Sequence, residues 1–167
     1  MILAAHAIAG AALGRWSQNP AVSFALGFMS HFVLDAIPHS QYKLNSRIYD
    51  ENPMKEDMAL NKDFVGDIFL LGFDCFIGLS LSILLFQGRV GLDGPSSPIL
   101  FGSLGGVLPD ALQFLFWKFR KWPLTTIQKF HSWVHAEKEF DYNSKTGFLL
   151  QVAIVAAIVL ASKILIK

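Results

Sequence analysis

Histidine and aspartate residues stand inside apolar stretches of this sequence, where an ionisable side chain is costly. On insertion scales, an ionised aspartate near the centre of a bilayer costs at least about 2.5–3.5 kcal/mol. Imidazole and carboxylate groups are ligands for zinc, iron and manganese, and a bound cation offsets the cost of burying the acids. The residues placed in this way are His6, His31, Asp35, Asp67, Asp74 and Asp110. Together they predict a metal site.

The spacing of one group is regular. In the stretch SHFVLDAIPH, His31, Asp35 and His39 follow one another at intervals of four. Residues four apart lie on one face of an α-helix, so His31 and Asp35 are expected to point the same way. Pro38 predicts the end of that helix, with His39 just beyond it.

The remaining candidates lie toward the same side of the predicted helices. Asp67 and Asp74 are seven residues apart and share a face in the first half of their segment, whereas Asp110 lies in the second half of its own. His131 and His135, in HSWVH, predict a short interfacial helix. With a rise of about 1.5 Å per residue, these groups form one layer roughly 5–15 Å below a single interface.

More ligand-type side chains are present than one ion needs, which indicates two ions, or one ion with further carboxylates orienting its ligands. The ion is expected to be zinc, with manganese or iron as alternatives. A metal ion generates hydroxide at about pH 7 and polarises a phosphoryl or acyl oxygen. One of Asp35, Asp67 or Asp74 would then be the general base or an orienting group. The candidate ligands are His6, His31, Asp35, His39, Asp67, Asp110, His131 and His135.

Several of these residues have a simpler structural interpretation. His6 lies in an alanine-rich stretch, where a packed, hydrogen-bonded histidine is common. Asp110 follows Pro109 and could cap a helix N-terminus. A pair of histidines four apart is a weak signal by itself. Asp67 and Asp74 are harder to explain structurally, because acids within membrane segments usually serve function.

Five apolar segments must position these side chains. A spanning helix needs about 17–25 residues, and all segments but the first reach that length. The first lacks the basic start of a signal peptide and is expected to be a short tilted span or a re-entrant helix. The segments are Met1–Gly14, Pro20–Ile37, Phe64–Phe86, Pro98–Trp117 and Thr146–Ile166.

These segments predict an all-α fold: an integral membrane bundle of four or five transmembrane helices, forming a single domain over residues 1–167. An interfacial helix is expected within residues 118–145, and a turn over residues 87–97, which are rich in Gly, Pro and Ser. Small residues let helices approach closely in membranes. The glycines expected to do so are Gly10, Gly14, Gly102, Gly105 and Gly106.

Composition agrees with a membrane protein, since 53% of the residues are hydrophobic, 16% are charged and the mean hydropathy is +0.43. These values exclude a disordered chain, a coiled coil and a disulfide scaffold. A net charge of +1 gives no reason to expect a nucleic-acid partner, and the expected partner is the lipid bilayer. Ten of the 14 lysines and arginines fall on the side of the 39–63 and 118–145 loops. The positive-inside rule therefore predicts a multi-pass inner-membrane protein with these loops and the site facing the cytoplasm.

Four short motifs resemble a known family. The stretches AHAIAGAALG, GFMSHFVLDAIPH, LPD and HSWVH are similar to those of the membrane-bound metal-dependent hydrolases of bacteria, although their order here is rearranged. Members of that family have been likened to zinc-dependent phospholipase C. The resemblance implies a phospholipid or other phosphoester substrate. It also implies that His6, His31, Asp35, Asp110, His131 and His135 are metal ligands or their neighbours.

Three functions compete at this point. The first is a metal-dependent hydrolase acting on a phosphoester or lipid-derived substrate at the cytoplasmic face. The second is a metal or ion transporter, which would need polar residues in both halves of the bilayer, whereas the sequence predicts them in one half. The third is a non-catalytic scaffold with a structural metal site. The HExxH and GxSxG motifs of zinc proteases and serine hydrolases are absent.

Overall fold

The computed structural model describes residues 1–87, 97–136, 140–141 and 144–166, and within them the chain is all-helical. A short antiparallel pair of strands lies between the second and third helices, with Arg47 opposite Met58. The elements are α1 (Leu3–Gly14), α2 (Pro20–Asp35), β1 (Arg47–Ile48), β2 (Asp57–Met58), α3 (Lys62–Gln87), α4 (Ser97–Phe119), α5 (Leu124–Val134) and α6 (Lys145–Leu165).

Three of the helices, α3, α4 and α6, are long and apolar enough to cross a membrane. The other two apolar helices, α1 and α2, have 12 and 16 residues. At about 1.5 Å per residue they are shorter than the roughly 30 Å hydrocarbon core. The described residues thus contain three candidate spans, fewer than the four or five predicted.

Helix α1 is the buried centre of the bundle, packed against α2, α3, α4 and α6. Almost all of its residues are buried, including Ala7, Ala9, Ala11 and Ala12, which have no exposed surface. Hydropathy alone does not separate a buried helix of this kind from a membrane span, because both are apolar on every side. The first segment is therefore a core helix that carries His6 to the middle of the protein.

Glycines bring α4 against α1 and α2. A Cβ atom at Gly102 would clash with the carbonyl oxygen of Gly10, and one at Gly106 would clash with that of His6. At Gly105 it would meet the carbonyl oxygen of Phe24 in α2. The close approach predicted from the glycines is confirmed, and it sets the distance between the helices that carry the candidate ligands.

Local signals explain where the helices begin and end. Asn19 caps α2 by accepting a hydrogen bond from the Ala21 amide at 2.9 Å, and Pro20 occupies the first helical position. The helix ends at Asp35, so His39 follows it as predicted. Helix α4 continues through Pro109, which leaves Asp110 inside the helix. The alternative of Asp110 as a helix cap is therefore wrong.

The outer faces of the long helices are apolar and exposed. Val65, Phe69, Phe73 and Phe76 project outward from α3, with 54–74% of their surface exposed. Helix α5 is amphipathic and exposes Trp133. Most of the turn predicted for residues 87–97 falls on residues 88–96, outside the described residues.

Candidate metal centre

The carboxylate of Asp35, the last residue of α2, lies at the centre of all five histidines of the chain. Each histidine directs Nε2 at one of its oxygens, at distances of 3.0 to 3.9 Å. Asp35 is 1% exposed, so solvent does not replace these partners. From nearest to farthest, the histidines are His131, His6 and His31, His39 and then His135.

One group of potential ligands gathers at Oδ2 of Asp35. His31 Nε2 lies 3.1 Å from this oxygen and His131 Nε2 lies 3.0 Å from it. The two imidazole nitrogens are 3.3 Å apart, and Asp110 Oδ1 lies 3.7 Å from His31 Nε2. One ligand atom of each of these four residues lies within 4.8 Å of the other three.

A second group shares Asp35 and adds His39 and His135. His39 Nε2 is 3.6 Å from Oδ1 of Asp35. Near the same oxygen are His6 Nε2, at 3.1 Å, and the amino group of Met1, at 3.0 Å. The predicted ligands His6, His31, Asp35, His39, Asp110, His131 and His135 are thus brought together around a single carboxylate.

Backbone carbonyls fix the tautomer of two of these imidazoles. His31 Nδ1 is 2.8 Å from the carbonyl oxygen of Gly106, and His39 Nδ1 is 2.7 Å from that of Ile37. Because a carbonyl oxygen can only accept, Nδ1 carries the hydrogen and donates it, and the neutral ring presents a lone pair at Nε2. Burial, with the nearby amino group of Met1, lowers the pKa of His39 to about 4, so this ring is neutral at pH 7.

When these two rings are neutral, their Nε2 lone pairs therefore face the Asp35 carboxylate, where hydrogen-bond donors would be expected. His31 Nε2 faces carboxylate oxygens and another imidazole nitrogen. Within the described part of the chain, His39 Nε2 and the ring nitrogens of His6 form no well-aligned hydrogen bond, although Asp35 Oδ1 lies near both Nε2 atoms. Buried acceptors facing one another are unfavourable unless a proton or a metal ion lies among them.

The spacing of these atoms suits a metal ion. Bonds of about 2.0–2.1 Å to zinc in tetrahedral geometry put the ligand atoms about 3.3 Å apart. Metal-binding histidines commonly donate their other ring N–H to a backbone carbonyl, as His31 and His39 do here. The buried His/Asp cluster could thus hold a metal ion.

Comparisons of the chain with protein-family models, curated proteins and solved structures give no match. The functional interpretation therefore rests on the chemistry and geometry of the site.

Contacts between elements hold the cluster together. The rings of His6 and His31 are stacked with centroids 3.9 Å apart. The Ala136 amide, just after His135, donates to the carbonyl oxygen of Asp35 at 2.8 Å. This last bond fixes the end of α5 to the end of α2, so that helices distant in sequence present their histidines to one point.

Asp67 and Asp74 lie outside both groups, although the sequence singled them out as catalytic candidates and Asp67 also as a ligand. Asp67 accepts hydrogen bonds from the Asn45 amide at 3.2 Å, the Ser46 amide at 2.8 Å and the Ser46 hydroxyl at 2.6 Å. These donors attach the loop after α2 to α3.

Asp74 contacts the start of α1. It accepts a hydrogen bond from the Ala4 amide at 2.8 Å and a short one from the hydroxyl of Tyr42. Burial and this bond to Asp74 raise the pKa of Tyr42, so the phenol stays a donor. An acid beside the free amides of a helix N-terminus is favourable.

Gln151 is a structural residue that the sequence reasoning passed over. It is 1% exposed in α6, where its Oε1 accepts from the Ile2 amide at 3.1 Å and its Nε2 donates to the Ser40 carbonyl at 3.0 Å. The sequence does indicate this residue, because Gln151 is the one polar residue within the apolar stretch FLLQVAIVAAIVLA.

A cavity of about 910 Å³ reaches the cluster. Asp35, Asp110, His131 and His135 line one part of it, and the remainder runs between α3, α4 and the loop that contains Arg47. Asp110 is the more open of the two acids, since 30% of its side chain is exposed. The volume is within the range of about 300–1,000 Å³ that is usual for small-molecule sites.

Proposed function

We propose that this protein is a membrane-embedded, metal-dependent hydrolase that acts on a phosphoester or lipid-derived substrate. The observation that carries the proposal is the convergence of Nε2 lone pairs and carboxylate oxygens on Asp35, next to a cavity of substrate size. A proton can bridge only two ligand atoms, whereas a metal ion could bind one ligand atom from each of the four residues of the first group. The motif resemblance to bacterial membrane-bound metal-dependent hydrolases supports the same assignment.

The proposed setting is a bacterial inner membrane. In this arrangement α3, α4 and α6 cross the bilayer, and the shorter α1 and α2 are enclosed within the bundle. Helix α5 lies at the interface, where its exposed Trp133 suits the headgroup region. The excess of lysine and arginine in the neighbouring loops supports a cytoplasmic orientation of the site.

Two ions are proposed, with Asp35 as the shared ligand. One would be held by His31, Asp35, Asp110 and His131, and the other by Asp35, His39 and His135. His6 Nε2, 3.1 Å from Oδ1, is a further ligand for the second ion. Neutral imidazole with carboxylate favours zinc, and manganese and iron tolerate the same ligands.

When bound, such ions would supply Lewis acidity, which lowers the pKa of water and polarises a phosphoryl oxygen. The chain's own groups then have distinct tasks. Asp35 neutralises positive charge at the centre of the site, while His31 and His39 are held in orientation by their Nδ1 bonds. Asp110 borders the cavity and is partly exposed, which supports a role as proton acceptor for the attacking water.

The proposal is tested by measuring metal content and hydrolysis on the same samples. Purified protein should contain zinc, manganese or iron by elemental analysis. It should also cleave a chromogenic phosphodiester or phosphatidyl lipid in mixed micelles, and a chelator should abolish this cleavage. The variant Asp110→Asn should lower kcat at least about 100-fold while part of the metal is retained.

The matched control is Asp63→Asn, because Asp63 is an exposed acid in the first turn of α3. It should leave both metal content and kcat unchanged. Protein free of transition metal would contradict the proposal. Metal-loaded protein that hydrolyses no phosphoester would instead favour a structural metal site.

A further inference from the structure

The cavity has an apolar arm that leads away from the cluster along α3. Ile68, Leu71, Gly72 and Cys75 line it, at spacings of three and four that place them on one face of the helix. From Ile68 to Cys75 this stripe extends about 10 Å along the helix axis.

A second apolar stripe lies across the cavity on α4. It consists of Val107, Ala111, Phe114 and Leu115, on the same face as Asp110. The arm is therefore continuous with the cluster, because α4 carries both its apolar wall and a carboxylate of the site.

One other part of the cavity is polar. Arg47 forms an ion pair with Glu56 at 2.8 Å and donates to Gln41 at 3.4 Å. All three residues line the cavity. A molecule that fills the space therefore meets polar groups at the cluster and in this region, and apolar side chains along α3 and α4.

Both stripes lie on helices that could cross a membrane. Ile68 is 42% exposed, and nothing lies within 4 Å of a Cβ atom built at Gly72. The arm is thus bounded by helices whose outer faces suit hydrocarbon, and open space at Gly72 leaves room for a chain to lie beside α3.

We infer that the arm between α3 and α4 holds a hydrocarbon chain of the substrate, with the phosphoester at the Asp35 cluster. The inference rests on the proposed function and narrows it, because the substrate is then a membrane lipid and not a soluble phosphoester. Apolar burial in the arm adds binding energy for each methylene group, which a soluble ester lacks.

Two glycines of α3 provide a matched pair of variants. Gly72 lines the arm, whereas Gly66 lies outside the cavity, and both have open space around a built Cβ atom. Gly72→Trp should fill the arm. Gly66→Trp adds the same side chain to the same helix without entering the arm.

The test uses cobalt-loaded full-length protein, with ethylphosphonate and octylphosphonate as probes, because their carbon–phosphorus bonds are not hydrolysed. Binding is followed by the visible absorption of cobalt. Octylphosphonate should bind at least tenfold more tightly than ethylphosphonate to the unaltered protein and to Gly66→Trp. In Gly72→Trp the two affinities should become nearly equal. Octylphosphonate should also slow alkylation of Cys75 several-fold, whereas ethylphosphonate should not.

Each alternative outcome is informative. Equal affinities in the unaltered protein would overturn the inference and leave a soluble phosphoester as the proposed substrate. A preference for octylphosphonate that survives in Gly72→Trp would also overturn it, because the chain would then lie elsewhere. If neither probe changes the cobalt spectrum, the phosphoester assignment itself fails.

Discussion

Asp35 and Asp67 are both buried acids in apolar helices, at 1% and 3% exposure, but their carboxylates have different sets of partners. Asp67 receives two backbone amides and a hydroxyl, all of which are donors. Asp35 accepts from the amino group of Met1 at 3.0 Å and is approached by imidazole nitrogens, of which those of His31 and His39 present lone pairs when the rings are neutral. The first carboxylate is satisfied by donors alone, whereas the second lies at the centre of a His/Asp cluster that could hold a metal ion.

The difference gives a criterion for separating a structural acid from a candidate metal ligand in this molecule. Burial does not separate them, and neither does residue type or an apolar surrounding. The hydrogen-bond partners separate the two acids, because a buried carboxylate whose partners are all donors is stable without a further ligand. A carboxylate that lies beside unpartnered imidazole nitrogens is where a bound cation would be stabilising.

The largest difference between the two acids is expected when each is neutralised in turn. Asp35→Asn removes the ligand that the two groups share, so the affinity for metal should fall by about 100-fold or more. Loss of a residue that only orients a metal ligand already costs about 10–100-fold. Asp67→Asn should keep full metal content, because Asp67 lies outside both groups. Metal affinity is measured by competition with a chelator. Equal losses in the two variants would refute the distinction.

The next largest effect is expected where α1 and α4 meet beside the site. A Cβ atom at Gly106 would clash with the carbonyl oxygen of His6 in α1. The carbonyl oxygen of Gly106 accepts a hydrogen bond from His31 Nδ1. Gly106→Ala should destabilise the protein by about 1–3 kcal/mol, as overpacking does. It should also weaken metal binding, because the His31 ring would shift.

Gly66→Ala is the control, since a Cβ atom at Gly66 has open space. The two variants are compared by thermal unfolding in detergent and by chelator competition. Unchanged stability and affinity in Gly106→Ala would show that the close approach is not needed.

The sequence was sufficient to predict the histidines and two of the acids of the cluster. Residue type, the four-residue spacing of His31 and Asp35, and the common side of the segments all pointed to one layer. Glycines correctly indicated which helices approach closely, since only a residue without a Cβ atom tolerates such contact. These inferences rest on local periodicity, which a single sequence displays directly.

Other features depend on tertiary partners and could not be predicted. Asp67 is occupied by amides of Asn45 and Ser46, some 20 residues away, and no spacing rule indicates that contact. The sequence predicted a short span or a re-entrant helix for the first segment and did not reveal a buried core helix. An apolar helix looks the same in sequence whether protein or lipid surrounds it. The available signal was the length of the segment, because α1, with 12 residues, is too short to span a bilayer.

A smaller effect is expected from one of the donors of Asp67. Ser46→Ala removes the hydroxyl that donates at 2.6 Å but leaves two backbone amides in place. The cost should therefore be that of one hydrogen bond, about 0.5–1.5 kcal/mol. Thermal unfolding should reveal this loss, while metal content stays unchanged. A loss of metal in this variant would mean that Asp67 and the cluster are coupled after all.

The smallest effect is expected at Asp57, a partly exposed acid that is satisfied by donors, like Asp67. Burial alone would raise the pKa of Asp57, but the hydrogen bonds from Lys118, at 2.6 Å, and from the Met58 amide hold it below its usual value. A lowered pKa stabilises the fold above the unfolded value of about 3.9, and this contribution is lost as the pH falls through the folded pKa.

Because 38% of the Asp57 side chain is exposed, Asp57→Asn should cost only about 0.2–1 kcal/mol at pH 7. The difference in unfolding temperature between Asp57→Asn and the unaltered protein should shrink between about pH 5 and pH 3. A difference that stays constant over this range would show that the ion pair with Lys118 does not contribute. Metal affinity should be the same in both proteins, because donors already satisfy Asp57 and it needs no cation beyond Lys118.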